Sequence, residues 1–298
     1  MKLRRSIAWA RGFSEEITLK AIASAADAVC IDLEDGVPPK RKAESRVKTV
    51  HMLQTFDFRG KERIVRVNGF GSDDYEKDMN EVIAVAPPDA IRLPKCERVS
   101  DLLLVDQRLR LIEEQHDLPK DSIEIIAMIE SPLGVHFAFD IASSCPRVTA
   151  LSVGMEDLTL EMGVRRRYKD NELDLIYARQ RVVLEAKAAG KTAIDSGMLA
   201  GDDAAKFKQD FESAQMGFCG RSVYTDEEAR DANRAFAPTD EEVRFSRGAA
   251  AVYESGAIDE ETGSVMFEGK RICLAAYEKA RRIVETAELI ARKEQDRH

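Results

Sequence analysis

Eight short runs of β-branched or apolar residues recur along the chain, each followed by a longer segment with helical spacing. They are Ser6–Ala10, Ala28–Leu33, Arg63–Val67, Ala90–Leu93, Glu124–Ile129, Thr149–Val153, Thr192–Ile194 and Phe218–Tyr224. Alternation of this kind calls for parallel strands joined by crossover helices. Several runs are continuously apolar rather than alternating, as strands covered on both faces must be. Eight is the number that closes a (β/α)₈ barrel, so the predicted fold is α/β, a (β/α)₈ TIM barrel over residues 1–225. The 298 residues leave room for one such domain and an appendage.

The connecting segments carry helix signals. Pro38 and Pro39 precede Ala43, Val47 and Val50, while Ser100 precedes Leu103, Leu104, Leu111 and Ile112. The stretch 172–189 places Leu173, Ile176, Val183 and Leu184 on one side. Each stripe is expected to pack on the barrel. After the eighth run, Thr225-x-x-Glu228 and Thr239-x-x-Glu242 read as capping boxes, and no further strong strand is expected. Residues 226–298 are therefore predicted to be a C-terminal helical extension, with Gly256 and Gly263 bracketing a loop before the last helix.

A composition of 44% hydrophobic and 33% charged residues is that of a globular protein with a large core. The formal net charge of −9, with both signs interspersed, argues against nucleic acid or an anionic membrane as the main partner, and leaves open a local basic pocket for a phosphorylated ligand. Cys30, Cys96, Cys145, Cys219 and Cys273 are odd in number and far apart, without CxxC spacing. Neither a disulfide framework nor a thiolate zinc site is expected, and a reducing, cytoplasmic setting fits. The basic start, Lys2, Arg4 and Arg5, leads into an apolar stretch broken by Arg11, Glu15 and Glu16, so no signal-peptide core is read there.

The chemistry collects where the runs end. Asp32, Glu34 and Asp35 follow the second, Arg66 the third, Lys95 the fourth, Glu130 the fifth, Glu156 and Asp157 the sixth, and Asp195 the seventh. Any one of these is explained by a solvated loop. As a set on one barrel mouth they read as a site, because buried charges must neutralise one another or bind a cation. Excess carboxylate with one arginine suits Mg²⁺, which prefers a few carboxylates plus water and substrate oxygens. Histidine offers little: His51 and His136 lie in helical patterns, His116 in a loop and His298 at the end. Zinc-hydroxide chemistry and a Ser-His-Asp triad are disfavoured accordingly, and the cysteines read as core filler.

These stretches also carry a resemblance. Arg5-Ser6, Asp32-Leu33-Glu34-Asp35, Arg66-Val67-Asn68, Leu93-Pro94-Lys95, Met128-Ile129-Glu130-Ser131, Gly154-Met155-Glu156-Asp157-Leu158, Tyr177-Ala178-Arg179 and Ala193-Ile194-Asp195 occur in the order of the citrate lyase β-subunit-like family. Phe236-Ala237-Pro238 and Glu268-Gly269-Lys270 extend the match. The chain resembles the citryl-CoA, malyl-CoA and citramalyl-CoA lyases of that family, within the broader HpcH/HpaI aldolase group.

The resemblance implies retro-Claisen cleavage of a 3-hydroxyacyl-CoA-type thioester to an acyl thioester and a 2-oxo acid. It implies Mg²⁺ on Glu130 and Asp157, and Arg66 binding substrate and stabilising the oxyanion. Asp32, Glu34 and Asp35 are then candidates for holding metal-bound water or orienting Arg66, with a purely structural role as the alternative. Lys95 is a candidate substrate contact or a structural ion pair. It further implies a homo-oligomer, a trimer or hexamer, in which the extension covers a neighbouring subunit's site. The Arg165-Arg166-Arg167 run is a candidate for the phosphates of a CoA-like carrier, against the plainer reading of a solvated loop.

Three departures qualify the match. Ala10-Arg11-Gly12 stands where the family usually has Val-Pro-Gly, and Val223-Tyr224-Thr225 where it has Ile-His-Pro. Cys273 follows Gly269-Lys270-Arg271-Ile272 where the family has an aspartate; it reads as an apolar replacement entering the last helix. A Mg²⁺-dependent aldolase on a free hydroxy-oxo acid and a non-catalytic binding protein are the alternatives. A glycosidase is weaker, since Arg66 and scarce aromatics suit small anions.

Overall fold

The parallel strands form because two sets of side chains alternate along them. Ile7, Ala28, Cys30, Ile64, Ala90, Ile126, Ala150 and Ile194 pack on one another in the bore, while Ala8, Val29, Ile31, Val65, Ile91, Ala127, Leu151 and Ala193 join the layer under the helices. This period of two with both faces apolar is what a sheet closed on itself requires. The computed structural model describes residues 2–166, 174–197, 203–256, 258–259 and 261–295.

The strands are β1 (Ser6–Arg11), β2 (Ala28–Asp32), β3 (Glu62–Arg66), β4 (Ala90–Leu93), β5 (Glu124–Ile129), β6 (Val148–Val153), β7 (Thr192–Ile194) and β8 (Arg221–Val223). They lie side by side in the order β7-β6-β5-β4-β3-β2-β1-β8. The ring closes between β7 and β8, where Asp195 bridges Arg221 in parallel and the Asp195 N–H donates to Gly220 O at 2.8 Å. All eight predicted strands are present, with ends shifted by up to three residues.

At the N-terminal ends of the strands, buried ion pairs fix the ring. The Arg4 guanidinium donates to Glu62 at 2.6 and 2.7 Å and to Glu124 at 2.5 Å, and Arg5 pairs with Asp27 at 2.9 Å. Charges at this face serve stability.

The helical stripes correct expectations on three helices. Helix Val99–Gln115 buries Leu102, Val105, Leu109 and Ile112, a 3-4-3 spacing, and Leu103, Leu104 and Leu111 are exposed. In helix Lys42–Thr55 the buried side is Ser45, Arg46, Thr49, Met52 and Leu53, and Val47 faces solvent. Of the stretch 172–189, Ile176–Ala188 is helical, and Leu184 is exposed; Glu172 and Leu173 lie outside the described residues. No helix among the described residues is long and apolar enough to cross a membrane.

The chain divides into a unit of Arg4–Phe236 and a second of Met1–Leu3 with Ala237–His298. The division falls eleven residues later than the expected boundary at 225, because helix Asp226–Ala235 buries Ala229, Ala232 and Ala235, the first two within the barrel's hydrophobic layer. Thr225 Oγ accepts from the Glu228 N–H at 3.1 Å, and the Glu228 carboxylate accepts from Tyr224 N rather than from Thr225 N. Thr239 and Glu242 form the full capping box.

The second unit is not wholly helical, as had been expected. Helices Asp240–Glu254 and Leu274–Gln295 flank an antiparallel hairpin, β9 (Ser264–Phe267) and β10 (Lys270–Cys273), whose tight turn places Glu268 and Gly269 at positive φ. The hairpin is short and mixed in polarity, which is why period-two patterning gave no signal. Cys273 ends β10 exposed to solvent rather than buried.

Candidate active site

Parallel pairing in register brings the strand-end charges together. Asp32 on β2 is the register partner of Arg66 on β3, and Arg66 of Arg92 on β4. The Asp32 carboxylate accepts from Arg66 Nε at 2.7 Å and Nη2 at 2.8 Å, and also from the backbone N–H groups of Glu34 and Gly36, both at 2.9 Å. With four donors on its two oxygens Asp32 is saturated. A Cβ at Gly36 would overlap Asp32 Oδ2, so glycine is needed for this turn.

Arg66 is held on three sides. Besides Asp32, its Nη1 lies 2.7 Å from Glu34 Oε2, and its guanidinium sits over the Trp9 ring at 4.5 Å. Burial alone would lower its pKa, but the Asp32 hydrogen bonds and the Asp32 and Glu34 charges raise it above the ordinary arginine value. Of its terminal nitrogens only Nη2 donates a hydrogen bond to a carboxylate, that of Asp32, so N–H groups remain for a ligand.

Glu34 is 5% exposed, and burial, reinforced by Asp35 and Asp32, raises its carboxyl above the usual range against the pull of Arg66. The Glu34 Oε2 contact with Arg66 is a charge contact whose angle makes no hydrogen bond. Asp35 turns out to solvent, so the orienting of Arg66 falls to Asp32 and Glu34.

Lys95 follows β4 with φ 54°. Its backbone N–H donates to Glu130 Oε2 at 2.9 Å, and its half-exposed ammonium lies 3.7 Å from Glu34 and 3.8 Å from Asp157. Glu130, just past β5, is 3% exposed. Burial and the neighbouring Glu34 charge, with Asp157 adding to them, push its carboxyl from 4.5 up to about 7. A Cβ on Gly154 would overlap Glu130 Oε1, so the glycine after β6 makes room for this carboxylate. Asp157 lies in the first turn of helix Met155–Glu161.

Arg66, Glu130 and Asp157 open onto one cavity of about 110 Å³, together with Trp9, Arg92, Ser222 and Tyr224. That is about four water volumes, room for a short oxo acid. Beside it, sharing Trp9 and Tyr224, runs an apolar groove of about 580 Å³ lined by Ile17, Ala21 and Ala23.

Of the other rim residues, Glu156 lines the same cavity with Arg166, and Asp195 does not. The Asp195 carboxylate accepts from Arg179 and Ser213, a structural role. Glu156 pairs with Arg166 at 2.9 Å, which takes Arg166 out of a free basic run; Arg167 lies outside the described residues. His116 caps its helix and contacts Ala84 O at 2.7 Å.

Sequence reasoning missed Trp9, Arg92 and Ser222, and named Gly154 only as part of a family motif, without its role. For Arg92 the signal was present, a charge in the middle of the apolar run Ala90–Leu93. For the others the signal lies in register and in close approach, which a sequence does not display.

Among the described residues no group of three or more His, Cys, Asp or Glu side chains forms a ready metal cage. Two carboxylates completed by water and substrate oxygens are nonetheless a normal Mg²⁺ donor set. Burial, and after it the Glu34 and Asp157 charges, raises Glu130 to about 7, and those like-charged neighbours leave the cluster short of positive charge.

The HpcH/HpaI aldolase/citrate lyase family matches residues 5–226. Citrate lyase subunit beta of Haemophilus influenzae is 30% identical over 299 residues, covering 99% of this chain and 100% of that protein. A (3S)-malyl-CoA thioesterase of Cereibacter sphaeroides is 32% identical over 288 residues, covering 96% and 95%. The crystal structure of CitE from Mycobacterium tuberculosis in complex with magnesium, acetoacetate and coenzyme A superposes with a TM-score of 0.75 at 23% identity, covering 95% of this chain and 97% of that one. This last likeness bears out the barrel fold.

Proposed function

The chain belongs to the HpcH/HpaI aldolase/citrate lyase family, and from that premise we propose that it is a Mg²⁺-dependent carbon–carbon lyase. Its reaction is retro-Claisen cleavage of a 3-hydroxyacyl-CoA-type thioester to an acyl thioester and a 2-oxo acid. The observation that carries this reading is the opening of Glu130, Asp157 and the Asp32-locked Arg66 onto one small cavity.

Glu130 and Asp157 are the residues that would hold Mg²⁺. When bound, the ion supplies two positive charges against the negative charge that C–C cleavage develops. Arg66, which lines the same cavity, would meet the same charge, and no reorganisation is needed because Asp32, Glu34 and Trp9 already fix it. Glu34, raised by burial, would take the proton of the 3-hydroxyl as the C–C bond breaks, and that proton passes to the α-carbon of the acyl thioester, which cleavage leaves as an enolate. Lys95, between Glu34 and Asp157, neutralises the carboxylates facing the substrate. The apolar groove beyond Trp9 and Tyr224 is the place for the acyl and thioester arm.

The complexes of the Mycobacterium tuberculosis protein with magnesium and coenzyme A support this chemistry for a protein of the same fold. The five free cysteines support a reducing, cytoplasmic setting. Exposed Leu103, Leu104, Phe137 and Phe139 support a homo-oligomer, a trimer or hexamer, that covers them, with residues 226–298 as the extension reaching a neighbouring subunit's site.

One experiment tests the reaction. The protein is incubated with Mg²⁺ and malyl-, citramalyl- or citryl-CoA, and 2-oxo acid and free thiol are measured separately. Oxo acid with an intact thioester is the expected result. Free CoA without oxo acid would replace the lyase with C–S hydrolysis, the reading favoured by the thioesterase relative. Turnover of a free hydroxy-oxo acid alone would make it an aldolase, and no turnover of any would defeat the enzyme reading.

A further inference from the structure

Three arginines line the site cavity, Arg66, Arg92 and Arg166. Arg66 pairs with Asp32 and Glu34 and Arg166 with Glu156. Arg92 makes no ion pair with a carboxylate among the described residues, although it is 1% exposed. Its Nη1 donates to Ser222 Oγ at 2.9 Å and its Nη2 to Ser152 Oγ, while its Nε has no hydrogen-bond partner. Glu130 and Cys30 act on it only through space, and burial depresses its pKa.

Arginine nevertheless stays charged, so the bore holds a cation whose direct partners among the described residues are neutral, two serine hydroxyls and the Trp9 ring. Leaving a buried charge in that state is expensive unless an anion completes it. The place for that anion is the cavity itself. Ser222 lines it beside Arg92, and a serine oxygen that accepts from arginine keeps its own O–H to donate. Trp9 carries both guanidiniums, Arg66 at 4.5 Å and Arg92 at 5.0 Å from its ring centre. Two anion-seeking groups therefore face one short ligand.

We propose that Arg92, with the Ser222 hydroxyl, is a specificity-determining contact that binds a second carboxylate on the oxo acid and so selects dicarboxylic over monocarboxylic oxo acids. The assignment rests on the lyase reading above. It adds a residue and a direction of selectivity that the Glu130–Asp157–Arg66 cluster does not supply.

Trp9 is the only tryptophan of the chain and lies in the cavity wall, so its fluorescence reports binding directly. Stopped-flow titration with Mg²⁺ and either oxaloacetate or pyruvate reads affinity before oxaloacetate decays. A hydrogen bond to a charged group predicts that oxaloacetate binds about 10–100-fold more tightly than pyruvate. Arg92→Met should bring the two affinities within about twofold and leave that of pyruvate nearly unchanged, and Ser222→Ala should narrow the ratio part of the way. A variant that merely loosens the barrel would weaken both ligands together, so the ratio separates a contact from a structural effect.

If the wild type binds both acids equally, or Arg92→Met keeps the ratio, while pyruvate still binds in a Mg²⁺-dependent way, the Arg92 assignment falls and the lyase reading survives. If neither acid binds with Mg²⁺ present, both fall.

Discussion

Replacing Glu130 by glutamine should stabilise the metal-free protein at high pH, and the size follows from where that carboxyl sits. Its pKa is raised from 4.5 to about 7, chiefly by burial and then by Glu34. At about 1.36 kcal/mol per unit, ionised Glu130 costs the fold about 3 kcal/mol relative to its protonated form. The folded state binds this proton more tightly than the unfolded chain, so the contribution to stability is full below about pH 4.5 and is lost as pH rises to about 7. Glutamine keeps an oxygen for the Lys95 N–H, turns an amide donor toward its acidic neighbours, and has no charge to penalise. Glu130→Gln without metal should thus gain about 2–3 kcal/mol over wild type between pH 5 and pH 8, or about 5–8 °C in Tm for a domain of this size. Mg²⁺ should raise the wild-type Tm at pH 8 and leave the variant unmoved, and wild-type Mg²⁺ affinity should fall with pH below about 7 as protons compete. Thermal melts at the two pH values, with and without Mg²⁺, decide it. An equal Tm difference at both pH values, or a Mg²⁺ shift kept in Glu130→Gln, would refute the reasoning.

Three further outcomes are expected. Arg66→Lys retains one charge but loses the two-pronged grip on Asp32, so kcat should drop about 10²–10³-fold; nearly full kcat would make Arg66 a structural ion-pair residue. Gly154→Ala should displace Glu130 and weaken Mg²⁺ binding at least tenfold by calorimetric titration, with the far-ultraviolet circular dichroism unchanged. Cys273 faces the N–H groups of Ala276 and Ala275, which lower its thiol pKa, whereas burial pushes Cys30 up to about 12 and also raises Cys96 and Cys219. In the folded protein one thiol should therefore react fast with a disulfide reagent, and Cys273→Ala should remove that fast phase.

The barrel was legible because its signal is repetitive. Each of the eight strands needs an apolar run, and an error at one run is outvoted by the others. Helix faces were less legible: Leu103 and Leu104 are as apolar as Leu102 and Val105, and only the position of the barrel decides which pair is buried. The hairpin of Ser264–Phe267 and Lys270–Cys273 escaped because it is two strands without a repeat. Cys273 was read as apolar from its residue type, but its environment is a solvent-exposed helix start.

The site shows the same division between what residue type conveys and what register conveys. A charge at the end of an apolar run is visible in sequence, so Asp32, Glu34, Arg66, Lys95, Glu130 and Asp157 could be gathered without coordinates. Their pairing could not, since Asp32 meets Arg66 only because β2 and β3 run parallel with these two residues in step. The same step sets Arg66 beside Arg92, two like charges on neighbouring strands of one bore. Asp32 and Glu34 neutralise the first, and among the described residues no carboxylate pairs with the second. Reading only strand ends hid Arg92, because its charge lies one residue inside the run Ala90–Leu93. In a closed barrel an inward-facing charge one residue below the rim reaches the same cavity as the rim itself, so a charge interrupting an apolar strand belongs to the search for a site as much as the charges that end one.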